Sequence, residues 1–252
     1  MAWAAPSPAS LQRGASSSTL PAMAIRAPRP QLRGTCYKCW RPMHCCLCPS
    51  TPPMETRTRI VLLMHPMEFR HQRCNTGRLT CLNLANSEII QGIGFDADAR
   101  FRSLVQDPAN YPVLLYPGEG AMSISDGELP ARALGHRRLV VFLIDGTWHC
   151  SRTIAKASPS LMRLPRLVIH PSTPSRYVIK RQPAAWCLST IEATHELLLA
   201  LEAGGLDVYP EKGRLIDTFN AMQDFQVRKI EKAAGSLERA HVTRGLRLPS
   251  GA

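Results

Sequence analysis

The sequence predicts an α/β fold, a mostly parallel sheet with flanking helices, and three observations carry that prediction. Short apolar runs recur along the chain, each bounded by turn residues, as buried strands require. Stretches of helical texture lie between them, and strands that alternate with helices favour parallel pairing. The polar residues of chemical interest gather just after strand ends, where open parallel sheets bind their ligands.

Residues 1–33 are rich in Ala, Ser and Pro and contain no acid. They lack the compact apolar core of a secretory signal. A disordered basic arm, or sequence upstream of a true start at Met23, is preferred over a transit peptide. Residues 34–53 are a cysteine-rich knot closed by Pro49, Pro52 and Pro53. RIVLLMH (59–65) reads as the first strand, TGRLTCLNLANS (76–87) as a short helix and EIIQGIGF (88–95) as the second strand. PVLLYP (112–117) is a third, bounded by prolines. RLVVFLI (138–144) is the fourth and strongest, RLVIH (166–170) the fifth, and a helical segment follows DGTW (145–148).

Ser189 and Glu192 form an S-x-x-E capping box that opens a helix, which Gly204-Gly205 stops. The last helix follows Pro210. It carries Leu215, Ile216, Phe219 and Met222 on one face and Arg228, Lys229 and Lys232 on the other. The α/β domain is placed at 54–235 and a disordered tail at 236–252.

The chain has 252 residues, 44% of them hydrophobic, enough for one sizeable core, or for a core plus a small appendage. No apolar run reaches the roughly 18 residues that cross a bilayer, so no membrane partner is expected. A net charge of +12 favours a polyanionic partner. The nine cysteines are an odd count, five of them between Cys36 and Cys48, which suits a reducing, cytoplasmic setting better than a disulfide framework.

Cys36 and Cys39 are spaced C-x-x-C, and Cys46 and Cys48 are spaced C-x-C. Two close pairs on a short loop can place four thiolates around one Zn2+, a closed and therefore structural site. Metal binding would supply much of the folding free energy of so small a hairpin. Cys45 is a fifth candidate ligand. A redox C-x-x-C should open a helix, and Pro42 does not suit that.

Three stretches follow strand ends and can line one pocket: His65, Pro66 and Glu68; then Asn75, Thr76, Gly77 and Arg78; then Asp145, Gly146, Thr147 and Trp148. Each has a plain alternative, as a strand end, a helix cap, a turn acid or a core tryptophan. GIGFD (92–96) lacks the further glycine and helix of a dinucleotide loop. Between Asp145 and Glu192 there is no acid, while the interval carries Arg166, Arg176, Lys180 and Arg181 among its cations. That one-signed stretch suits phosphate contact. Tyr177 and Trp186 interleave with it, as platforms for unstacked RNA bases.

Seven ordered motifs now stand together: C-x-x-C-x-x-P-x-x-x-C-x-C (36–48), H-P-x-E (65–68), N-T-G-R-L (75–79), LLYPGEGA (114–121), D-x-T-W (145–148), PSRY (174–177) and LSTIEA (188–193). From Cys36 to about Glu231 the chain resembles the DTW-domain family, the tRNA-uridine aminocarboxypropyltransferases. The resemblance implies a fold related to the knotted SPOUT-type methyltransferases. It implies S-adenosylmethionine as donor, transfer of its 3-amino-3-carboxypropyl group to N3 of a tRNA uridine, and release of 5′-methylthioadenosine.

On that reading the three stretches hold the donor, and Asp145 accepts the uridine proton or orients the base. Thr147 holds the amino-acid moiety or caps the next helix, and Trp148 stacks on a base or packs in the core. Arg166, Arg176, Tyr177, Lys180 and Arg181 grip tRNA. Cys45 stands where relatives often carry His, and the long N-terminal arm is unlike compact members. The alternatives are methyl transfer from the same donor and a non-catalytic zinc and RNA-binding module.

Overall fold

A computed structural model describes residues 34–71, 75–180, 184 and 186–243. In chain order these form β1 (Arg59–Met64), α1 (Pro66–His71), α2 (Thr76–Asn83), β2 (Ser87–Gln91), α3 (Ala99–Gln106) and β3 (Asn110–Leu115). There follow β4 (Met122–Ser123), α4 (Ala131–Leu134), β5 (Arg138–Asp145), α5 (Trp148–Ala157), α6 (Pro159–Met162), β6 (Arg166–Val168), α7 (Thr190–Ala203) and α8 (Arg214–Thr243). All six strands run parallel, in the order β2-β1-β5-β3-β6-β4.

Both faces of the sheet are buried, so its strands read as continuous apolar runs. Alternate residues nevertheless go to opposite cores. Ile60, Leu62, Val113, Val141 and Leu143 join Leu79 of α2, Leu198 of α7 and Phe219 of α8. Val61, Leu63, Val140 and Phe142 join Phe101 of α3, Ile154 of α5 and Leu161 of α6. Among the described residues, no helix is long and apolar enough to cross a membrane.

Several boundaries differ from the sequence expectation. The helix expected over 76–87 ends at Asn83, because Leu84 turns extended and bridges to Met54. The strand expected over 88–95 leaves the sheet at Gly92, and Phe95 instead enters the core between α3 and α5. Pro112 lies inside β3. Leu114 and Tyr116 donate toward β6, so the donor that proline lacks would face the same side. There β6 pairs only with Leu114 and Leu115, and no ladder bond is lost. The two-residue edge strand β4 and the short helices α1, α3, α4 and α6 were not anticipated. The domain boundary expected at 235 falls within α8, whose helical backbone continues to Thr243.

Strand order positions the site. The chain leaves β1 for β2 on one side, then builds β3 beyond a gap that β5 fills later. β5 is therefore the point where the connections diverge, the usual place for a crevice beyond strand carboxyl ends. In register, Met64 at the end of β1 stands beside Asp145 at the end of β5.

Candidate active site and thiol cluster

Asp145 is 3% exposed, and its carboxylate ties three elements together. Its Oδ1 accepts from the Thr190 hydroxyl at 2.5 Å, and Thr190 opens α7. Its Oδ2 accepts from Asn75 Nδ2 at 2.9 Å. Asn75 is the N-cap of α2, where its Oδ1 accepts from the Arg78 N–H at 2.7 Å, and its Nδ2 also reaches Glu68 Oε1 at 3.3 Å. Asp145 thus faces the N-terminal ends of two helices, whose free N–H groups favour negative charge. Burial nevertheless pushes its pKa up, with Thr190 and Asn75 pulling it back. The pKa of Glu68 is also raised, first by burial and then by the charge of Asp145.

A cleft of about 510 Å³ opens in front of these carboxylates. Glu68, Thr76, Asp145, Gly146, Thr147 and Trp148 line it, with Tyr177 and Lys180 from the segment before α7. Thr147 caps α5, accepting from Cys150 N–H at 3.3 Å. Trp148 is 50% exposed, which excludes a core role. Glu192 completes its capping box and also straps that preceding segment, accepting from Arg176 N–H at 2.6 Å and from the Ser175 hydroxyl at 2.9 Å. Gln223 of α8 holds it from the other side, accepting from Val178 N–H at 2.7 Å.

Other expected site residues serve from behind the wall. Gly77 backs directly onto Asp145 Oδ2. The His65 N–H donates to the Asp145 carbonyl at 3.1 Å, and its Nδ1 accepts from Met67 N–H at 3.2 Å, so it turns β1 into α1. Pro66 is the first residue of α1. Arg78 is not among the cleft-lining residues. Its guanidinium lies 4.4 Å over the Phe69 ring and 5.1 Å from the Trp40 ring centroid, joining α2 to the cysteine knot. Arg166 lies at the start of β6 beside Gly118 and is not itself among the cleft-lining residues, although its neighbour Leu167 is, and Arg176 is exposed. Arg181 falls outside the described residues.

Sequence reasoning missed Thr190, Ser189, Tyr116 and Pro117 as lining residues. They stand in the LSTIEA and LLYPGEGA motifs, so the signal was present. A threonine beside an N-cap serine, however, reads as ordinary capping.

The Sγ atoms of Cys36, Cys39, Cys46 and Cys48 lie within 4.8 Å of one another. Cys36–Cys48 and Cys39–Cys46 are each 3.7 Å apart. A tetrahedral zinc with Zn–S bonds of ~2.3 Å has sulfur–sulfur edges of about 3.8 Å, so the group fits that ion. The Cys45 thiol instead donates to the Pro42 carbonyl at 3.3 Å, which takes it out of the set. Trp40, at φ 57°, makes the turn between the two pairs, and its ring meets Phe69 edge-on at 5.5 Å.

Fold and site together define an α/β protein with an all-parallel sheet, a cleft beyond the central strand ends and a four-thiol knot that can hold a metal. The chain belongs to the DTW domain family, whose profile matches residues 33–227. It is 32% identical over 186 residues to tRNA-uridine aminocarboxypropyltransferase 2 of Drosophila melanogaster, covering 71% of each chain. The Mus musculus protein of that name is 32% identical over 176 residues, covering 68% of this chain and 57% of the relative. The tRNA-uridine aminocarboxypropyltransferase A of Arabidopsis thaliana is 29% identical over 226 residues, covering 79% and 83%. The chain thus spans most of the fly and plant relatives but just over half of the mouse one. These relatives are transferases by name. No solved structure matches the chain.

Proposed function

We propose that the protein transfers the 3-amino-3-carboxypropyl group of S-adenosylmethionine to N3 of a uridine in tRNA and releases 5′-methylthioadenosine. One observation carries this reading: a buried pair of carboxylates at the head of a roomy cleft, in a chain of the DTW family. The volume suits a nucleoside-sized ligand. The cleft offers aromatic rings from Tyr116, Trp148 and Trp186 as stacking surfaces and hydroxyls from Thr76, Ser189 and Thr190 for the donor's amino-acid end. Thr76 and Thr190 open α2 and α7, where helix N-termini favour a carboxylate ligand.

The sulfonium donor is a cation, and Asp145 with Glu68 supplies the matching negative charge. Gly146 and Thr147 shape the wall between them. Asn75, Gly77, His65 and Pro66 act indirectly by fixing Asp145 and α1. Asp145 orients the reacting groups. Because the leaving sulfur becomes neutral, no oxyanion hole is needed, and in-line placement of nitrogen, carbon and sulfur supplies most of the acceleration. Lys180, Arg176, Arg166 and Arg181 contribute positive charge for tRNA phosphates, with Tyr177 beside the cleft. The four-cysteine group holds a structural Zn2+.

Nucleoside mass spectrometry after incubation with unmodified tRNA and the donor tests this. The expected result is an aminocarboxypropyl uridine with an equal amount of methylthioadenosine. A methylated nucleoside with S-adenosylhomocysteine, or binding without turnover, would contradict it.

A further inference from the structure

We propose that Glu68 is the carboxylate that takes the uridine N3 proton, with Asp145 and Asn75 as positioning residues. This assignment rests on the transferase reading above. Both Asp145 oxygens are engaged, one by Thr190 at 2.5 Å and one by Asn75 at 2.9 Å. The second oxygen is also pressed against α2, since a Cβ at Gly77 would lie 2.6 Å from it. A carboxylate so held is poorly placed to take a proton from an incoming base.

Glu68 differs in each respect. It projects from α1 into the cleft wall. Among the described residues its one hydrogen bond is the long 3.3 Å contact from Asn75 to Oε1. Its Oε2 accepts from none of them and is not sealed from the cleft. A single Asn75 amide therefore bridges an engaged carboxylate and an open one.

The surroundings make the open one basic. Burial and the Asp145 charge raise its proton affinity, while Lys180, the Asn75 hydrogen bond and Arg78 oppose them. The groups facing it are Asp145 at the end of β5, Asn75 and Arg78 on α2, and Lys180 before α7. A base works best when its pKa approaches the working pH.

The step balances. The N3 proton passes to Glu68 Oε2, and the N3 electron pair bonds to the donor's terminal side-chain carbon. The bond from that carbon to sulfur breaks, and its pair stays on sulfur. A carboxylate anion and a sulfonium cation are both neutralised, which the burial of Glu68 favours because it weakens the solvation of charge. The proton then leaves Glu68 through the open cleft.

Single-turnover rates measured against pH, beside binding constants for donor and tRNA, test the assignment. Wild type should lose rate on the acid side, with an apparent pKa above the 4.5 of an ordinary glutamate. Glu68→Gln should lose about 100-fold or more in the single-turnover rate at saturating donor and tRNA, a loss beyond whatever weakening of donor binding follows from removing its charge, with the tRNA binding constant held within a few-fold. Asp145→Asn should keep a slower reaction whose acid limb moves to lower pH, because the charge that raised Glu68 is gone; this arm needs no Glu68 variant to fold. A Glu68→Gln variant with the wild-type rate and acid limb overturns the assignment. So does an Asp145→Asn variant whose acid limb stays in place. A wild type that transfers nothing removes the transferase reading and this assignment together, whereas transfer by an unimpaired Glu68→Gln removes the assignment alone.

Discussion

At Gly77 a Cβ would lie 2.6 Å from Asp145 Oδ2 and 3.1 Å from Leu62 Cδ1, so the first turn of α2 has no room for a side chain there. Gly77→Ala should therefore push the carboxylate off Thr190 and Asn75. We expect a loss of about 1–3 kcal/mol by thermal denaturation, typical of overpacking, together with a slower transfer step. A second prediction concerns pH. Folded Glu68 holds its proton more tightly than the unfolded chain does, so its contribution to stability is intact below 4.5 and is lost as pH rises through the elevated folded value. The stability of Glu68→Gln relative to wild type should accordingly improve between about pH 4 and pH 7, as seen in paired melting curves. A constant difference would show that burial does not perturb Glu68.

Some of these placements were legible in the sequence and some were not. Asp145 could be read because an acid ending the most apolar strand needs a reason to be there. Thr190 could not, since its partner is 45 residues away and its neighbour Ser189 already explained the local pattern. The position of Arg78 was hidden for the same reason. Its place after N-T-G suggested a ligand contact, whereas its ring partner Trp40 belongs to the knot.

At the scale of elements, the strands of the core were visible and their edges were not. β1 and β5 are short, apolar and buried on both faces, which periodicity reports well. β4 spans only two residues and exists because β6 offers it a ladder. Pro112 could sit in β3 only because β6 is short there, a fact of pairing that no local signal carries. The knot shows the same division: cysteine spacing suggested a metal site, while the Cys45 ambiguity was removed only by the direction of its thiol. Metal analysis should find one zinc per chain in wild type and in Cys45→Ser, which should change stability by no more than ~0.5 kcal/mol. Cys39→Ser, at a buried position packed on the core, should lose both the metal and several degrees of melting temperature. Zinc bound equally by Cys39→Ser would contradict the four-thiolate set.

For the whole molecule, charge and topology act together. The net charge of +12 and the acid-free interval from 146 to 191 pointed to a polyanion, and the structure straps part of that interval beside the cleft through Glu192 and Gln223. Lys180 lines the cleft itself. Lys180→Ala should weaken tRNA binding and reduce the magnitude of the slope of log affinity against log salt by about one, in filter-binding titrations. An unchanged slope would place the phosphates elsewhere. The convergence of three distant motifs was foreseeable because a parallel sheet gathers its strand ends on one edge. The depth to which the carboxylates are buried, and their sharing of one asparagine, came only with the packing of α1, α2 and α7.

The most direct test of the account is where the donor sits. Ultraviolet cross-linking of labelled S-adenosylmethionine, followed by peptide mapping, should place the label on cleft peptides carrying Tyr116, Trp148 or Trp186, with loss of label under excess methylthioadenosine. Label confined to the cysteine knot or to α3, on the far face of the sheet, would contradict it.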